Sequence, residues 1–329
     1  MVRIGIVGTG GMGLSRARRV LSSNEAELAW ICSRSADRAR EMLEKADPDG
    51  ERSETVTCID DWESGFRDPT VDAIILCTPN TLHHKLAIEA IRSDKDLCVE
   101  YPHVTVPAQG RDLIAAAGKS GRAFHVGLTH RYGAAHAAFA ALCNGDGKHD
   151  MGKPLVYQLA VCSGNPISRW YDKDGLSGGM FVSSLYHFID EALAFFGEYT
   201  DYLPTYWRDL IDRVTRRDCA GITIRFAKGC TAQLSYARGL VKPGLGSRRV
   251  IIFERGYVIS EGGATRILTP TGTESLEVAD VDSIGIDTDT FIDLVRSDGG
   301  VDETADQAQR TLELASAAQD TAIEVGPSV

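Results

Sequence analysis

Two side chains that can exchange a proton stand at positions where enzymes often place reactive groups. Tyr101 follows the apolar segment DLCVE, which is typical of a buried strand, and Pro102 ends that strand at once. His187 lies in the segment GGMFVSSLYHFID. A phenol with an ordinary pKa of about 10 is protonated at neutral pH, and an imidazole titrates near neutrality. Either group could therefore protonate an oxygen atom that gains negative charge in a reaction.

A glycine-rich turn near the start of the chain predicts a dinucleotide-binding site. The segment GTGGMG follows the apolar strand RIGIVG and precedes a helical pattern. In that setting glycines permit a tight turn, and a pyrophosphate can approach the free N–H groups at the start of the helix. The expected contacts are Gly8, Gly10, Gly11, Met12 and Gly13.

The end of the second strand indicates which dinucleotide binds. NAD-dependent enzymes usually carry Asp or Glu there to hold the ribose hydroxyl groups. This chain has Cys32-Ser33-Arg34, and Arg38 follows one helical turn later. A hydroxyl and two guanidinium groups would bind a 2′-phosphate, which a carboxylate would repel. We predict NADP(H) bound by Ser33, Arg34 and Arg38; the alternative is a solvated arginine pair at an ordinary helix start.

The elements around these residues predict an N-terminal doubly wound parallel sheet. Continuous apolar segments are typical of strands buried on both faces, and amphipathic stretches separate most of them. The predicted strands span residues 3–8, 27–33, 55–59, 71–78, 96–101 and 123–128. We predict an NADP-binding Rossmann domain at residues 1–128. Arg16, Arg18 and Arg19 are expected to form a solvated face of its first helix.

The second half of the sequence predicts an antiparallel sheet with helices. Apolar and polar residues alternate on both sides of turns at 227–229 and 254–256, which is typical of hairpins with one exposed face. A helix over about 303–324 closes the chain. The fold class is therefore α/β plus α+β, with a second domain at residues 129–329.

Composition limits the classes of partner. The chain has 329 residues, so it is long enough for two domains, and its net charge of −11 argues against nucleic acid or an anionic membrane as partner. We find no export signal and no apolar stretch of membrane-spanning length. The acidic charge fits a small-molecule substrate better. The eight cysteines are scattered without CxxC spacing, so we expect reduced thiols, no metal cluster and a cytoplasmic protein.

Four motifs in order resemble the glucose–fructose oxidoreductase/inositol dehydrogenase (Gfo/Idh/MocA) family. They are GTGGMG at 8–13, CTPNTLH at 77–83, EYP at 100–102 and GGMFVSSLYHFID at 178–190. The family carries GxGxxG, TPNxxH, Glu-Lys-Pro and a GG stretch leading to DxxxHxxD. The resemblance is close over residues 1–132 and patchier afterwards. It implies a Rossmann domain followed by a substrate-binding and oligomerisation domain at residues 129–329. The second domain would be built on an open, mostly antiparallel sheet that pairs between subunits, which gives a homodimer or homotetramer.

The resemblance also implies contacts with the nicotinamide half of the cofactor. Thr78, Asn80 and His83 would lie along it, and Glu100 would lie near the nicotinamide ribose. Two of these residues have alternative roles. Asn80 could cap a helix, and His83 could make a purely structural hydrogen bond.

Two positions depart from the family pattern. Tyr101 stands where the family has Lys, and Ser183 stands where it has Asp, four residues before the retained His187. The paired change removes a cation and an anion from one small site, whereas loss of one alone would leave an unpaired buried charge. Glu-Tyr-Pro is a feature of biliverdin reductases in the wider family, but the His187 segment is closer to the sugar and cyclitol branch.

These departures favour a reductase, because a protonated phenol can donate a proton but is a poor base. We predict hydride reduction of a ketone on a sugar or cyclitol-like small molecule, with Tyr101 and His187 as catalytic residues. Tyr101 could instead only pack against the nicotinamide while His187 handles the proton. The other open hypotheses are an imine or conjugated C=C reductase and a non-catalytic dinucleotide-binding sensor or regulator.

Substrate contacts are predicted on both sides of the domain boundary. Arg131 follows the last Rossmann strand, and Trp170 precedes the Gly178-Gly179 turn. Ser183 and Tyr186 lie beside His187, although Tyr186 could point into the core instead. Aromatic rings at such positions stack well on sugar or planar conjugated faces.

Overall fold

The computed structural model describes residues 1–145, 148–164, 170, 174–210, 216–240 and 246–324. The chain forms two compact units. The first contains Met1–Tyr132 and Asp282–Arg310, and the second contains Gly133–Val281 and Thr311–Val329.

A six-stranded parallel sheet forms the centre of the first unit, in the order β3-β2-β1-β4-β5-β6. The strands are β1 Val2–Val7, β2 Ala26–Cys32, β3 Thr57–Ile59, β4 Ala73–Leu76, β5 Asp96–Glu100 and β6 Phe124–Gly127. Each lies within two residues of its predicted bounds. The segments that read as continuously apolar are buried on both faces, as in the four residues of β4. The predicted Rossmann sheet is confirmed.

Helices cover both faces of this sheet. They are α1 Gly11–Ser22, α2 Ala36–Ala46, α3 Trp62–Phe66, α4 His83–Arg92 and α5 Pro107–Ser120. Two 3₁₀ turns, Asn80–Leu82 and Thr129–Tyr132, follow β4 and β6. Ala17 and Val20 of α1 pack in one core cluster with Ile4 and Ile6 of β1, so the glycine turn between β1 and α1 is anchored on both sides.

The second unit is built on a nine-stranded sheet, in the order β14-β13-β12-β11-β7-β10-β9-β8-β15. The strands are β7 Pro154–Gly164, β8 Tyr199–Leu210, β9 Arg216–Phe226, β10 Thr231–Leu240, β11 Ser247–Phe253, β12 Gly256–Glu261, β13 Ala264–Thr269, β14 Gly272–Ser275 and β15 Ile323–Glu324. The β7–β10 and β8–β15 pairs are parallel, and the other neighbours are antiparallel. The predicted hairpins at 227–229 and 254–256 are confirmed.

Helices α6 Ala134–Asn144, α7 Asp174–Ser177 and α8 Tyr186–Phe196 belong to the second unit, and a π-helical turn, Phe181–Leu185, leads into α8. The chain then continues through α9 Ser283–Arg296 and α10 Glu303–Thr321. Phe291 and Ile292 of α9 join the same core cluster as Ile4 and Ile6. The sequence-based division at residue 128 did not include this return to the first unit, because the apolar stripe of a helix does not identify the core that it covers.

Three observations concern function classes. Among the described residues, no helix is both long enough and apolar enough to cross a membrane. Over the same residues, no three His, Cys, Asp or Glu side chains are grouped so that they could hold a metal ion. The eight cysteines are unpaired thiols.

Candidate active site

The glycine turn is closed on its protein side and open on its other side. Gly8 has φ +112°, and a Cβ there would lie 2.2 Å from the carbonyl oxygen of Cys77. A Cβ on Gly13 would lie 2.1 Å from the carbonyl oxygen of Gly8. By contrast, a Cβ on Gly10 or Gly11 would meet nothing within 4 Å. The turn therefore packs tightly against its own strand and leaves room above the start of α1.

The N-terminus of α1 can accept an anion. The helix begins at Gly11, and its N-cap residue, Gly10, provides no side-chain cap. Gly10 and Gly11 are exposed and Met12 is partly exposed. The first N–H groups of a helix have no partner inside the helix, and the dipole there favours negative charge. The predicted turn thus has the form that a bound pyrophosphate requires.

The end of β2 presents a hydroxyl and two exposed guanidinium groups. Ser33 Oγ lies 2.9 Å from Thr9 Oγ1 of the glycine turn. Arg34 and Arg38 are exposed, and neither has a hydrogen-bond or ion-pair partner in the described part of the chain. Arg40, on the same helix, is instead paired with Asp37. The arrangement fits a 2′-phosphate and contains no carboxylate at the position where NAD enzymes usually carry one.

His83 connects the ends of two strands. Its Nδ1 lies 2.9 Å from the carbonyl oxygen of Pro102, and its Nε2 lies 2.9 Å from the carbonyl oxygen of Thr78. The ring is fully buried, and burial lowers its pKa against the opposing effect of the two carbonyl groups. Both ring nitrogens thus face the backbone, which is the structural alternative to the predicted cofactor contact for His83.

The two predicted neighbours of His83 differ in their surroundings. The Thr78 hydroxyl oxygen is buried and has no hydrogen-bond partner within the described residues, so its hydrogen-bonding capacity is unused. Asn80 is buried and begins the 3₁₀ turn Asn80–Leu82, with Pro79 at its N-cap. The turn places Asn80 close to the end of β4, after Cys77, Thr78 and Pro79.

Glu100 ends β5 as a buried carboxylate with one oxygen occupied. Its Oε1 accepts a hydrogen bond from Nε of Arg16 at 2.8 Å. Its Oε2 is buried and has no hydrogen-bond partner among the residues that the structure describes. Burial raises the pKa of Glu100, and the Arg16 guanidinium opposes that effect. Oε2 is therefore an unsatisfied buried acceptor, a feature that calls for a partner such as a ligand.

Arg16 is not on a solvated helix face, contrary to the prediction. It is fully buried, whereas Arg18 is exposed and Arg19 is partly exposed. Arg16 shares the buried stripe of α1 with Gly13 and Val20. That spacing was the signal in the sequence, since an arginine on an apolar stripe is typical of a buried ion pair rather than a solvated charge.

A charge network surrounds Arg16, and sequence reasoning missed it. Nη2 of Arg16 lies 2.5 Å from Oδ2 of Asp287, and Nη1 donates to the Thr288 hydroxyl at 2.8 Å. His125 lies between Asp287, at 3.2 Å, and Asp302, at 2.5 Å. Burial acts to lower the pKa of His125, but the two carboxylates raise it to about 9. The guanidinium and the imidazolium are thus both charged at neutral pH.

Tyr101 and Arg131 lie next to the ends of β5 and β6. Tyr101 is partly exposed and precedes Pro102 through a cis peptide bond. Arg131 lies in the 3₁₀ turn after β6, is partly exposed, and donates from Nη1 to Oε1 of Gln307 at 2.7 Å. Both side chains have some access to solvent, as a proton donor or a substrate contact needs.

In the second unit, the π-helical turn holds Ser183 in place. The backbone N–H and the hydroxyl of Ser183 both donate to the carbonyl oxygen of Gly179, at 2.9 and 2.6 Å. Ser183 is buried, and its hydroxyl is used for a hydrogen bond within the turn. Ser183 is also the residue at the position where the family pattern has Asp. Gln319 of α10 accepts a hydrogen bond from the backbone N–H of Phe181 at 3.1 Å. Turns of this type are frequent at functional sites.

His187 and Tyr186 are adjacent in sequence but differ in exposure. His187 is partly exposed, and its ring lies 6.3 Å from the ring of Phe188, which in turn contacts the ring of Tyr236. Tyr186 is fully buried, which fits the alternative that it does not contact substrate. Trp170 is partly exposed, while Arg169 and Tyr171 on either side of it lie outside the described residues.

The first unit brings the cofactor candidates together at one edge of its sheet. Strands β2, β1, β4 and β5 are consecutive neighbours and run parallel. Ser33, Gly8, Thr78 and Glu100 follow or end these strands, so they share the carboxyl edge, where doubly wound sheets bind ligands. The open glycine turn and the two unpartnered buried oxygens at this edge fit a dinucleotide.

Comparison with known proteins agrees with this architecture. Residues 2–128 match the family model described as an oxidoreductase family with an NAD-binding Rossmann fold, and residues 147–322 match the C-terminal alpha/beta domain of the same family. The chain is 25% identical to myo-inositol 2-dehydrogenase of Thermotoga maritima over 264 residues, which cover 79% of this chain and 75% of the relative.

Two solved structures share the fold. Biliverdin reductase from Synechocystis, solved with biliverdin and NADP⁺, superposes with a TM-score of 0.85 at 21% identity and covers 98% of this chain and 99% of its own. A 3-ketoreductase from Actinomadura kijaniata, solved with NADP and TDP-benzene, gives a TM-score of 0.83 at 18% identity over 99% of each chain. The two matched domains show that this chain belongs to the Gfo/Idh/MocA family of NAD(P)-dependent oxidoreductases.

Proposed function

We propose that this oxidoreductase uses NADP(H) to reduce a ketone on a sugar or cyclitol-like small molecule. The observation that carries the proposal is Tyr101, a partly exposed phenol beside the buried Glu100 at the dinucleotide edge. The family has a lysine at this position. Because a phenol is protonated at neutral pH, it suits the step that gives a proton to a new alkoxide.

The bound dinucleotide supplies the hydride. The first unit's own residues bind and orient it: the glycine turn holds the pyrophosphate, and Thr78 and Glu100 offer buried oxygens to its nicotinamide half. Arg34 and Arg38 favour a 2′-phosphate over a bare ribose, because both guanidinium groups are exposed and have no protein partner in the described chain. This supports NADP(H) over NAD(H).

Two groups are candidates for the proton transfer. Tyr101 belongs to the first unit and His187 to the second, and both are partly exposed. We assign the donor role to Tyr101 and keep His187 as the competing candidate. Arg131 and Trp170, also partly exposed, are the proposed substrate contacts.

The similarity to a myo-inositol 2-dehydrogenase supports a cyclitol or sugar substrate, and the ketoreductase structure with NADP agrees with that choice. A second candidate is reduction of an imine or a conjugated C=C bond. The motif Glu100-Tyr101-Pro102 favours this second candidate, because biliverdin reductases carry the same motif. The structural similarity to a biliverdin reductase also covers nearly the whole chain. A non-catalytic sensor is the third candidate.

Oxidation of NADPH, followed at 340 nm with equal amounts of inososes, ketosugars, biliverdin and a cyclic imine, separates these candidates. We expect stoichiometric oxidation with a cyclitol or sugar ketone and none with biliverdin. Turnover of biliverdin or the imine alone would replace the proposal by the second candidate. Tight NADPH binding without turnover of any acceptor would favour the sensor.

We also propose that two copies of the chain associate through the sheet of the second unit. One face of β7, β11 and β12 carries a group of partly or largely exposed apolar side chains, here called the outer apolar patch: Val156, Val250, Ile252, Tyr257 and Ile259. Register pairing places Ile252 beside Val156 and Tyr257, so the patch is continuous. A continuous exposed apolar patch is typical of an interface between subunits.

A further inference from the structure

We propose that Arg16 is a positioning residue for Glu100 and that the return helix α9 holds Arg16 in place. In this arrangement Arg16 binds Oε1 of Glu100, so that Oε2 is presented to the hydroxyl groups of the ribose next to the nicotinamide. This inference rests on the proposed binding of a nicotinamide dinucleotide. It adds two elements that the sequence motifs do not include, Arg16 and α9.

The charge of Glu100 depends on Arg16. The carboxylate is buried, and burial without a cation would favour its neutral form. Arg16 supplies the cation at 2.8 Å, and its own side chain is fully enclosed. A charge-assisted bond from Nε holds Oε1 in place and favours the charged form of the carboxyl group. Glu100 therefore has one oxygen bound to Arg16 and one without a partner among the described residues.

Contacts with α9 hold Arg16 in place. Its remaining nitrogens contact Asp287 at 2.5 Å and the Thr288 hydroxyl at 2.8 Å, and both residues belong to α9. With three separate contacts, the guanidinium plane cannot turn without breaking at least one of them. The part of the chain that returns from the second unit thus completes the dinucleotide edge of the first.

Gly127 lies close to the side chains of both Arg16 and Glu100. A Cβ on Gly127 would lie 2.6 Å from Nη2 of Arg16 and 3.2 Å from Oε2 of Glu100. The end of β6 therefore has to be a glycine for both side chains to pass over it. This close packing makes the pair rigid, as precise positioning of a ligand-binding oxygen requires.

The test measures equilibrium affinity by titration calorimetry, with two ligands for each protein. NADPH contains the nicotinamide ribose, whereas 2′,5′-ADP lacks it. Arg16→Lys keeps the positive charge but removes the planar guanidinium group. We expect it to weaken NADPH binding roughly tenfold and to leave the affinity for 2′,5′-ADP unchanged. If the wild-type protein prefers NADH, the two ligands are NADH and ADP instead of NADPH and 2′,5′-ADP.

The matched control is Arg19→Lys. Arg19 also lies on α1 and pairs with α9 through Asp289, but it has no contact with Glu100. If docking of α9 alone mattered, the two variants would behave alike. We expect Arg19→Lys to retain wild-type affinity for both ligands, and equal losses in both variants would overturn the proposal.

Two further variants keep the test decisive. Glu100→Gln should weaken NADPH selectively, and adding Arg16→Lys to it should cause little further loss, because both act through one oxygen. Additive losses would contradict the inference. If Arg16→Lys fails to fold, Thr288→Val removes one contact of Arg16 at constant charge, and it should weaken NADPH about threefold without affecting 2′,5′-ADP.

The outcomes distinguish this inference from the function on which it rests. Wild-type protein that binds neither nucleotide would overturn the proposed function. Wild-type binding with equal losses for NADPH and 2′,5′-ADP in Arg16→Lys would overturn only the positioning role of Arg16.

Discussion

The hydroxyl oxygens of Thr9 and Ser33 lie 2.9 Å apart and join the glycine turn to the end of β2. This bond places Ser33 against the turn and leaves the side chains that follow it, Arg34 and Arg38, in solvent. The two arginines are therefore presented beside the turn that we expect to bind the pyrophosphate, rather than folded onto the protein.

The choice of dinucleotide is tested by Arg34→Ala. We expect this change to weaken NADPH binding about tenfold or more and to leave NADH within about twofold, because the guanidinium would contact only the 2′-phosphate. Affinities come from fluorescence titration with each nucleotide. Arg40→Ala removes an exposed arginine of the following helix, α2, that already pairs with Asp37, so it should change neither affinity. Equal losses for NADPH and NADH would contradict the 2′-phosphate role.

The identity of the proton donor is tested by pH–rate profiles of Tyr101→Phe and His187→Gln. We expect Tyr101→Phe to lower kcat at least about a hundredfold, as is usual for loss of a general acid. A phenol donor is active while protonated, so the wild-type rate should fall only at high pH, and this limb should vanish in Tyr101→Phe. If His187 is the donor, the rate falls as pH rises through neutrality, and His187→Gln removes that limb instead.

The sheet of the first unit was predictable because its strands are buried on both faces. Such strands read as uninterrupted apolar segments, and β1, β4 and β5 accordingly lie within two residues of their predicted bounds. The glycine turn was equally clear, since the positive φ of Gly8 and the close approach of Gly13 to the Gly8 carbonyl oxygen arise within the turn itself. These features depend on neighbours in the sequence or on a repeated pattern.

The contacts of Arg16 were not predictable from local pattern. Thr288 lies 272 residues further along the chain, and nothing near Arg16 in sequence identifies that partner. His83 was ambiguous for a related reason, because its two carbonyl partners become neighbours only when β4 and β5 pair. Tyr186 was ambiguous because a helical position beside an exposed residue can be buried.

The role of His83 as a connection between strand ends is tested by His83→Phe. The ring is fully buried, and a neutral imidazole donates its single N–H to one of the two carbonyl oxygens that face it, so the change leaves a buried carbonyl oxygen without its donor. We expect a loss of about 2 kcal/mol or more in the free energy of unfolding. Urea unfolding measures it. His84→Ala, at a partly exposed neighbour paired only with the exposed Asp112, should cost under about 0.5 kcal/mol. Similar losses in both variants would contradict the structural role.

The buried His125 makes the stability of the first unit depend on pH. Asp287, from α9, and Asp302 face its ring nitrogens, Phe291 stacks on the ring, and Arg16 shares Asp287. The folded pKa is raised to about 9, against about 6.5 for an unfolded chain. The folded state therefore binds the extra proton between these values. Its contribution, on the order of 3 kcal/mol, is complete below about pH 6.5 and is lost as pH rises through about 9.

The variant His125→Gln isolates this contribution. Urea unfolding of wild type and variant between pH 6 and pH 10 should show a stability gap that is largest at pH 6 and shrinks as pH rises. His84→Gln, with its partly exposed imidazole, is the control and should follow wild type throughout. A gap that stays constant with pH would mean that His125 does not change its protonation between the folded and unfolded states.

Association through the outer apolar patch is tested by Ile252→Arg. Ile252 is partly exposed at the centre of the patch, between Val156 on β7 and Tyr257 on β12. In a free subunit an arginine there can reach water along its flexible stem, so folding should be little affected. In an interface the same charge is buried opposite apolar side chains and costs several kcal/mol.

We therefore expect light scattering to show an oligomer for wild type and a monomer for Ile252→Arg, with circular dichroism unchanged. Ser275→Arg places the same charge on the exposed edge strand β14 and should leave the mass as in wild type. Oligomers of equal mass for both variants would place the interface on another surface.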